Sequence, residues 1–368
     1  MTQHRAEVII DLNALASNIA TLASHTEAEI LAVVKAGAYG HGLIPVAKRA
    51  LESGASWLGV ALLEEALTLR AAGITAPIIA WLTPPGDDFA RAITEGIDLS
   101  ISSVELLDAV EIASTQVGRS ARVHIEIDTG MTRGGVLGDW EKLLQRLRTT
   151  PLEIVGVWSH FSSADEREAP ANTEQMRRFE EKLNDLASAG INPPYVHFAN
   201  SAATINFPHI HKNIIRLGIA MYGLSPDVTL MGSSAALGLT PVMSVRAKLH
   251  LVKEVPAGCA VGYGGTAITT APTKIGVVML GYSDGIPRNT RSTVGVYSHG
   301  RAAPILGRVS MDQFVVDLGA DSPAQAGEYV ELFGPHSYSI DDWAEAAGTI
   351  NYEIVTRIAS RVPRVYLS

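Results

Sequence analysis

Along the first 224 residues, short apolar runs rich in β-branched side chains alternate with longer stretches whose apolar positions recur every three to four residues. Runs of the first kind cover 7–11, 30–35, 57–61, 77–81, 99–102, 123–128, 154–160, 195–198 and 214–217. The two periodicities predict strands there and amphipathic helices between them, such as 12–23, 62–72 and 175–189. Such alternation is the mark of parallel βαβ units. Setting the first strand aside leaves eight, the number that closes a (β/α)8 barrel. An open doubly wound sheet satisfies the same count.

After Ser225 the texture changes. Val, Thr and Gly dominate, turn signals stand at Pro256-Ala257-Gly258, Ser283-Asp284-Gly285 and His299-Gly300, and 244–255, 275–280, 294–297 and 314–318 have strand texture. A mostly-β C-terminal domain is expected. It closes with helices, one opened by a capping box at Ser339 and Asp342 and ended at Gly348, the other over 351–360, before Pro363. The expected organisation is an α/β barrel domain over 1–230 and a β-rich domain over 231–368. The first strand, about 6–11, is open to pairing with the second domain.

Composition narrows the partners. Of 368 residues, 47% are apolar and 18% charged, enough for a large core. A formal charge of −9 with no basic cluster argues against nucleic acid. Cys259 is the only cysteine, so no internal disulfide or cysteine-rich metal site arises. No apolar run reaches membrane-spanning length and residues 1–7 hold no apolar signal core, so a cytoplasmic setting without a membrane partner is expected.

The segment Val33-Val34-Lys35-Ala36-Gly37-Ala38-Tyr39-Gly40-His41-Gly42 fits poorly as plain structure. A lysine ends a buried strand and a loop with three glycines follows. Lys35 reads either as a reactive amine at a barrel mouth or as a snorkelling cap. In a barrel, the C-terminal ends of the strands converge on one face. That rule gathers Lys35, Trp81, Arg133, His160, His197, Asn200, Ser201, Arg216 and Gly218. The segments after the last two strands are where barrels commonly bind phosphate. A phosphate site plus a lysine suggests pyridoxal phosphate.

Competing motifs are weaker. Gly262-Tyr263-Gly264-Gly265-Thr266-Ala267 matches a dinucleotide pattern, but Ile268-Thr269-Thr270-Ala271-Pro272 follows where a helix should open. His209-Ile210-His211 lacks supporting metal-ligand spacing. Ser162-Ser163 lacks a hydrolase elbow. No resident metal is expected.

With these residues in hand, the chain resembles the alanine racemases, two-domain pyridoxal-phosphate enzymes. The resemblance runs through Ala32–Gly42, Asp128-Thr129-Gly130-Met131, Ser159-His160-Phe161, His197-Phe198-Ala199-Asn200-Ser201, Arg216–Gly223, Val261–Thr266, Gly307–Gln313 and Ile350-Asn351-Tyr352-Glu353. It implies that Lys35 holds the cofactor covalently and that Tyr39, Ser201, Gly218, Ile219 and Tyr352 hold its phosphate. Trp81, His160 and Asn200 would complete the cofactor site, with His197 in support and Arg216 facing the pyridine nitrogen. Arg133 and the Met311 amide would bind the substrate carboxylate. Tyr263 would be a second base opposite Lys35, supplied with Tyr282, Met311 and Asp312 by the other subunit of a homodimer. The implied reaction interconverts L- and D-alanine and supplies D-alanine for cell-wall peptidoglycan.

One departure concerns Glu126. Many family members place there a lysine whose carbamate orients the arginine seven positions on; here a carboxylate already stands to hold Arg133. Thr132 is a second departure, at a position where glycine is common in the family. A racemase of another small amino acid, such as serine, is the nearest alternative. A fold-related decarboxylase would place a carboxylate at the pyridine nitrogen and a cysteine in the β domain, and Arg216 and Ser310 speak against it.

Overall fold

The computed structural model describes residues 4–368. Its described residues divide into two compact units, one of 15–38 and 43–240, the other of 4–14, 39–42 and 241–368. The chain starts in the second unit with strand β1 (Ala6–Asp11), passes through the helix Leu12–Ala23, and then builds the first.

That first unit is a closed barrel of eight parallel strands: β2 (Glu29–Val33), β3 (Trp57–Val60), β4 (Ile78–Ala80), β5 (Asp98–Ile101), β6 (Arg122–Glu126), β7 (Glu153–Trp158), β8 (Tyr195–His197) and β9 (Ile214–Leu217). The first and last close the ring, with Leu31 beside Arg216 and Ala32 beside Leu217. The open doubly wound sheet is therefore set aside. Helices follow most strands and bury one face each. The stripe Val104, Leu107, Val110 on Val104–Val117 is an example, and Ser103 caps it by accepting from the Leu106 N–H at 3.1 Å.

The second unit is a mostly antiparallel eight-stranded sheet. Its strands are β1, β10 (Met243–Val255), β13 (Thr273–Val278), β14 (Gly295–Ser298), β15 (Arg301–Leu306), β16 (Phe314–Asp317), β17 (Tyr329–Phe333) and β18 (Arg364–Leu367). The remaining two, β11 (Ala260–Val261) and β12 (Ala267–Ile268), form a small ribbon. Strand β1 pairs antiparallel with β10 and parallel with β18. Ser339 and Asp342 do form a reciprocal capping box, and Gly348 ends that helix in the left-handed region. Strands β11, β12, β15, β17 and β18 are additions to the sequence reading. Pro304 and neighbouring alanines in β15 dilute the β-branched signal on which that reading relied.

Candidate active site

Side chains two apart along a strand face the same way, so register decides what meets inside the barrel. Ser100 stands beside His124, His124 beside Gly156, and Trp158 beside His197. The interior is consequently polar over part of its height. Asp98, Ser100, His124, His197 and Arg216 are all buried there.

Lys35 lies just past β2, and the chain leaves it in a left-handed turn. Ala36, Gly37, Ala38 and Tyr39 have φ of 54°, 61°, 57° and 52°. A glycine-rich loop accounts for only one of the four. Each L-residue held there costs about 1–2 kcal/mol, and such strain persists only where surrounding structure enforces it. Within the barrel unit the Ala38 N–H donates to the Val34 carbonyl at 2.7 Å and the Gly37 N–H to Glu65 at 3.3 Å. Burial lowers the Lys35 pKa from the ordinary lysine value. The Arg133 charge lowers it further, Glu65 opposes this, and Arg216 adds to the lowering. In the second unit Tyr39 and Tyr352 have ring centroids 6.4 Å apart. A Cβ on Gly40 would meet the Val355 carbonyl oxygen at 2.3 Å, so that position accepts only glycine.

Arg216 is 3% exposed, and among the described residues no carboxylate lies within ion-pair distance of it. Its guanidinium instead donates to the carbonyls of His197, Ser159 and Phe198 at 2.9, 2.8 and 3.2 Å. It also donates to Nδ1 of His197 at 3.2 Å and of His160 at 3.1 Å, and it lies 5.2 Å over the Trp158 ring. Burial draws its pKa down to about 9, with Glu126 opposing and Arg133 reinforcing; it remains a cation at neutral pH. Burial, and then the Arg216 charge, hold His160 and His197 far below the usual histidine range, so both are neutral.

Glu126, Asp128, Met131, Arg133 and His160 line one small cleft. Burial raises the Glu126 pKa to about 7, against the pull of Arg133 and Arg216. No hydrogen bond or ion pair joins Glu126 to Arg133 among the described residues, so the carboxylate acts on the arginine through space. Thr132, next to Arg133, has φ of 58°, which explains why glycine suits that position.

The loops after β8 and β9 are tied by Ser201, whose Oγ accepts from the N–H groups of Gly218 at 2.9 Å and Ala220 at 3.3 Å. Its own hydroxyl proton is left for an outside acceptor, and the Ile219 amide lies between those two donors. The Oδ1 of Asn200 caps the helix Ser201–Asn206 by accepting from the Ala203 N–H at 2.9 Å, which leaves its Nδ2 amide uncommitted by that bond. Trp81 packs over Gly59, where a Cβ would stand 2.3 Å from the indole. The Trp81 Nε1–H is buried without a hydrogen-bond acceptor.

In the second unit Tyr263 begins the turn Tyr263–Gly265 between β11 and β12 and is 69% exposed. A single 3-10 turn leads into β12, and no α-helix of the kind a dinucleotide motif needs opens there. Tyr282 and Met311 sit on adjoining loops, also exposed. The Tyr282 N–H donates to the Ser310 carbonyl at 3.0 Å, and the Ser283 hydroxyl to the Met311 carbonyl at 2.7 Å. Asp312 accepts from Arg361 at 2.5 Å. A Cβ on Gly281 would stand 2.2 Å from the Met311 carbonyl oxygen, so a glycine lets the loops close.

The sequence reading missed Asp98 and His124. Both lie on barrel strands, and His124 is in step with a selected residue, two before Glu126, with Gly156 its neighbour across the ladder. Extending the period-two alternation down each strand finds His124. Asp98 falls just outside the strand start that was assigned at 99.

A closed eight-stranded barrel with a lysine, a buried arginine and neutral histidines at its strand ends, joined in one chain to a β-rich unit, places the protein in the class of two-domain α/β-barrel proteins with a polar site at the barrel mouth. Residues 10–226 match the family model described as alanine racemase, N-terminal domain, and 242–366 that of the C-terminal domain. The alanine racemase of Salinispora tropica is 46% identical over 98% of both chains. That of Thermobifida fusca is 45% identical over the same shares. The crystal structure of the enzyme from a D-cycloserine-producing Streptomyces lavendulae superposes with a TM-score of 0.98, at 44% identity, over 100% of this chain and 98% of that one. A Bacillus anthracis alanine racemase structure with bound L-Ala-P gives 0.92 at 38% identity, over 100% and 96%. The chain belongs to the alanine racemase family.

Proposed function

We propose that this protein interconverts L- and D-alanine with pyridoxal phosphate, as a cytoplasmic homodimer that supplies D-alanine for cell-wall peptidoglycan. The observation that carries the reading is a pKa-depressed Lys35 in the same barrel as a buried Arg216 that, among the described residues, has no carboxylate within ion-pair distance. The residues suit the group chemically. Lys35 offers an amine made more nucleophilic by burial. Ser201 offers a hydroxyl proton and Ile219 an amide to a phosphate, and Gly218, whose own N–H is held by Ser201, lets the backbone approach it closely. Trp81 offers an unused N–H, and Tyr39 and Tyr352 are the further phosphate residues of the reading. Pyridoxal phosphate, when bound, supplies an aldehyde for the substrate amine and an electron sink for the pair left at Cα.

Racemisation needs a proton taken from one face of Cα and returned on the other, so two groups must work from opposite sides. Lys35 is assigned the face that serves D-alanine and Tyr263 the face that serves L-alanine. Arg133 and the Met311 amide orient the substrate carboxylate, with Glu126 acting on Arg133. Arg216, a cation at neutral pH with donors only, leaves the pyridine nitrogen unprotonated and the sink weak, which favours prompt return of the proton. The exposure of Tyr263, Tyr282 and Met311 supports their delivery, with Asp312, to the site of a second copy. No helix among the described residues is long and apolar enough to cross a membrane.

The test is incubation of purified protein with L-alanine and measurement of D-alanine, with Lys35→Ala and Tyr263→Phe as controls. Conversion by the wild type and its loss in both variants is expected. No conversion by the wild type rejects the reading.

A further inference from the structure

Arg216 is the end of a buried chain of hydrogen bonds that the reaction as proposed leaves unused. A guanidinium has only donors, so the His197 Nδ1 at 3.2 Å must accept. The proton of neutral His197 is then on Nε2, which faces the His124 Nδ1 at 3.0 Å. That nitrogen must accept in turn, placing the His124 proton on Nε2, 3.2 Å from the Asp98 Oδ2. A carboxylate accepts only, so the two ends of the chain demand the same two tautomers. Every hydrogen points from Arg216 towards Asp98. Arg122 closes the far end, with Nε at 2.8 Å and Nη2 at 3.1 Å from the Asp98 oxygens.

The surroundings are built to hold this order. Asp98, His124 and His197 are 1%, 0% and 0% exposed. Trp158 stacks on His197 at 6.0 Å and 6°, and Trp57 sets its edge to His124 at 5.6 Å. Burial pushes the Asp98 carboxyl up, yet its hydrogen bonds to His124 and Arg122 outweigh that and hold it below the ordinary range, so the acceptor is ionised.

We propose that Asp98, acting through His124 and His197, is a positioning residue for Arg216: its carboxylate fixes both imidazole tautomers and thereby the roll of the guanidinium presented to the cofactor's pyridine nitrogen. The inference rests on the cofactor reading above. Without the carboxylate, Arg216 alone sets the order, and reversing both imidazoles no longer costs the His124–Asp98 hydrogen bond. A reversed His197 sets N–H against the Arg216 N–H, and the guanidinium must turn away.

The experiment uses the holoenzyme labelled with 15N-histidine, read by long-range proton–nitrogen NMR, beside the cofactor's visible spectrum and steady-state kinetics. In the wild type, His124 and His197 should both carry their proton on Nε2; a proton on Nδ1 of either overturns the proposal, whatever the variants do. Asp98→Leu should change the His197 tautomer, shift the visible band and lower kcat about tenfold or more, with KM for alanine moved less than twofold. Asp98→Asn keeps an acceptor for His124 and should restore the tautomers and most of kcat. Arg122→Gln should lower the melting temperature and leave kcat within twofold. An unchanged His197 tautomer and unchanged kcat in Asp98→Leu also overturn the proposal. The tautomers are read with or without turnover, so an inactive wild type rejects the racemase reading by a different observation.

Discussion

Gly156 stands across the β6–β7 ladder from His124, and a Cβ on it would lie 1.9 Å from the imidazole Nδ1. The missing side chain is the space the histidine occupies. Gly156→Ala should therefore push the ring off both neighbours in a core with no room to receive it. Overpacking of this kind costs about 1–3 kcal/mol. The expected result is a lower denaturation midpoint in urea, together with a shifted visible band for bound cofactor.

Thr132 should be replaceable at a gain. A β-branched residue at φ of 58° is strained by about 1–2 kcal/mol, while glycine loses about 0.5–1 kcal/mol in entropy on folding. Thr132→Gly should raise stability by up to about 1 kcal/mol, read by urea denaturation, with the Thr132→Ala change giving less.

Glu126 should make substrate binding depend on pH. Its folded pKa of about 7 exceeds the ordinary 4.5, so the folded state binds the extra proton. Its contribution to stability is therefore most favourable below pH 4.5 and is lost as pH rises through 7. Charge on Glu126 appears over the same rise, and with it support for Arg133. That support is worth about 0.5–1 kcal/mol at a partly solvated arginine, or about two- to fivefold in KM. KM for alanine should fall by that factor between pH 6 and 8. Glu126→Gln should flatten the profile at the higher KM and be more stable than the wild type at pH 8. Added bicarbonate should leave the wild-type rate unchanged, because the carboxylate needs no carbon dioxide adduct; a bicarbonate-dependent rate contradicts the assignment.

Tyr263→Phe should separate the two faces of the reaction. With the phenol gone, racemisation should fall about 10²–10⁴-fold. In deuterated water D-alanine should still exchange its α-hydrogen through Lys35, and L-alanine should not. Equal exchange of both isomers contradicts the two-base assignment.

Much of the fold was legible because burial imposes periodicity. The helix Leu12–Ala23 has the bounds that its apolar spacing gave, and eight apolar runs became eight parallel strands. Local polar chemistry was legible too, as at Ser339 and Asp342, because a cap is made between residues three apart. Lys35, His160, Ser201 and Arg216 were marked by their place at strand ends. The left-handed turn from Ala36 to Tyr39 was hidden, since alanine carries no signal for positive φ and the surroundings enforce it.

The sequence by itself determined the periodicities, hence the elements, and the residue types available at each strand end. Tertiary structure decided closure of the barrel and the register across its ladders. Register is a relation between strands distant in the chain, and a shift of one residue exchanges inside for outside. Only that register sets Gly156 beside His124, and with His124 the line of protons from Arg216 to Asp98.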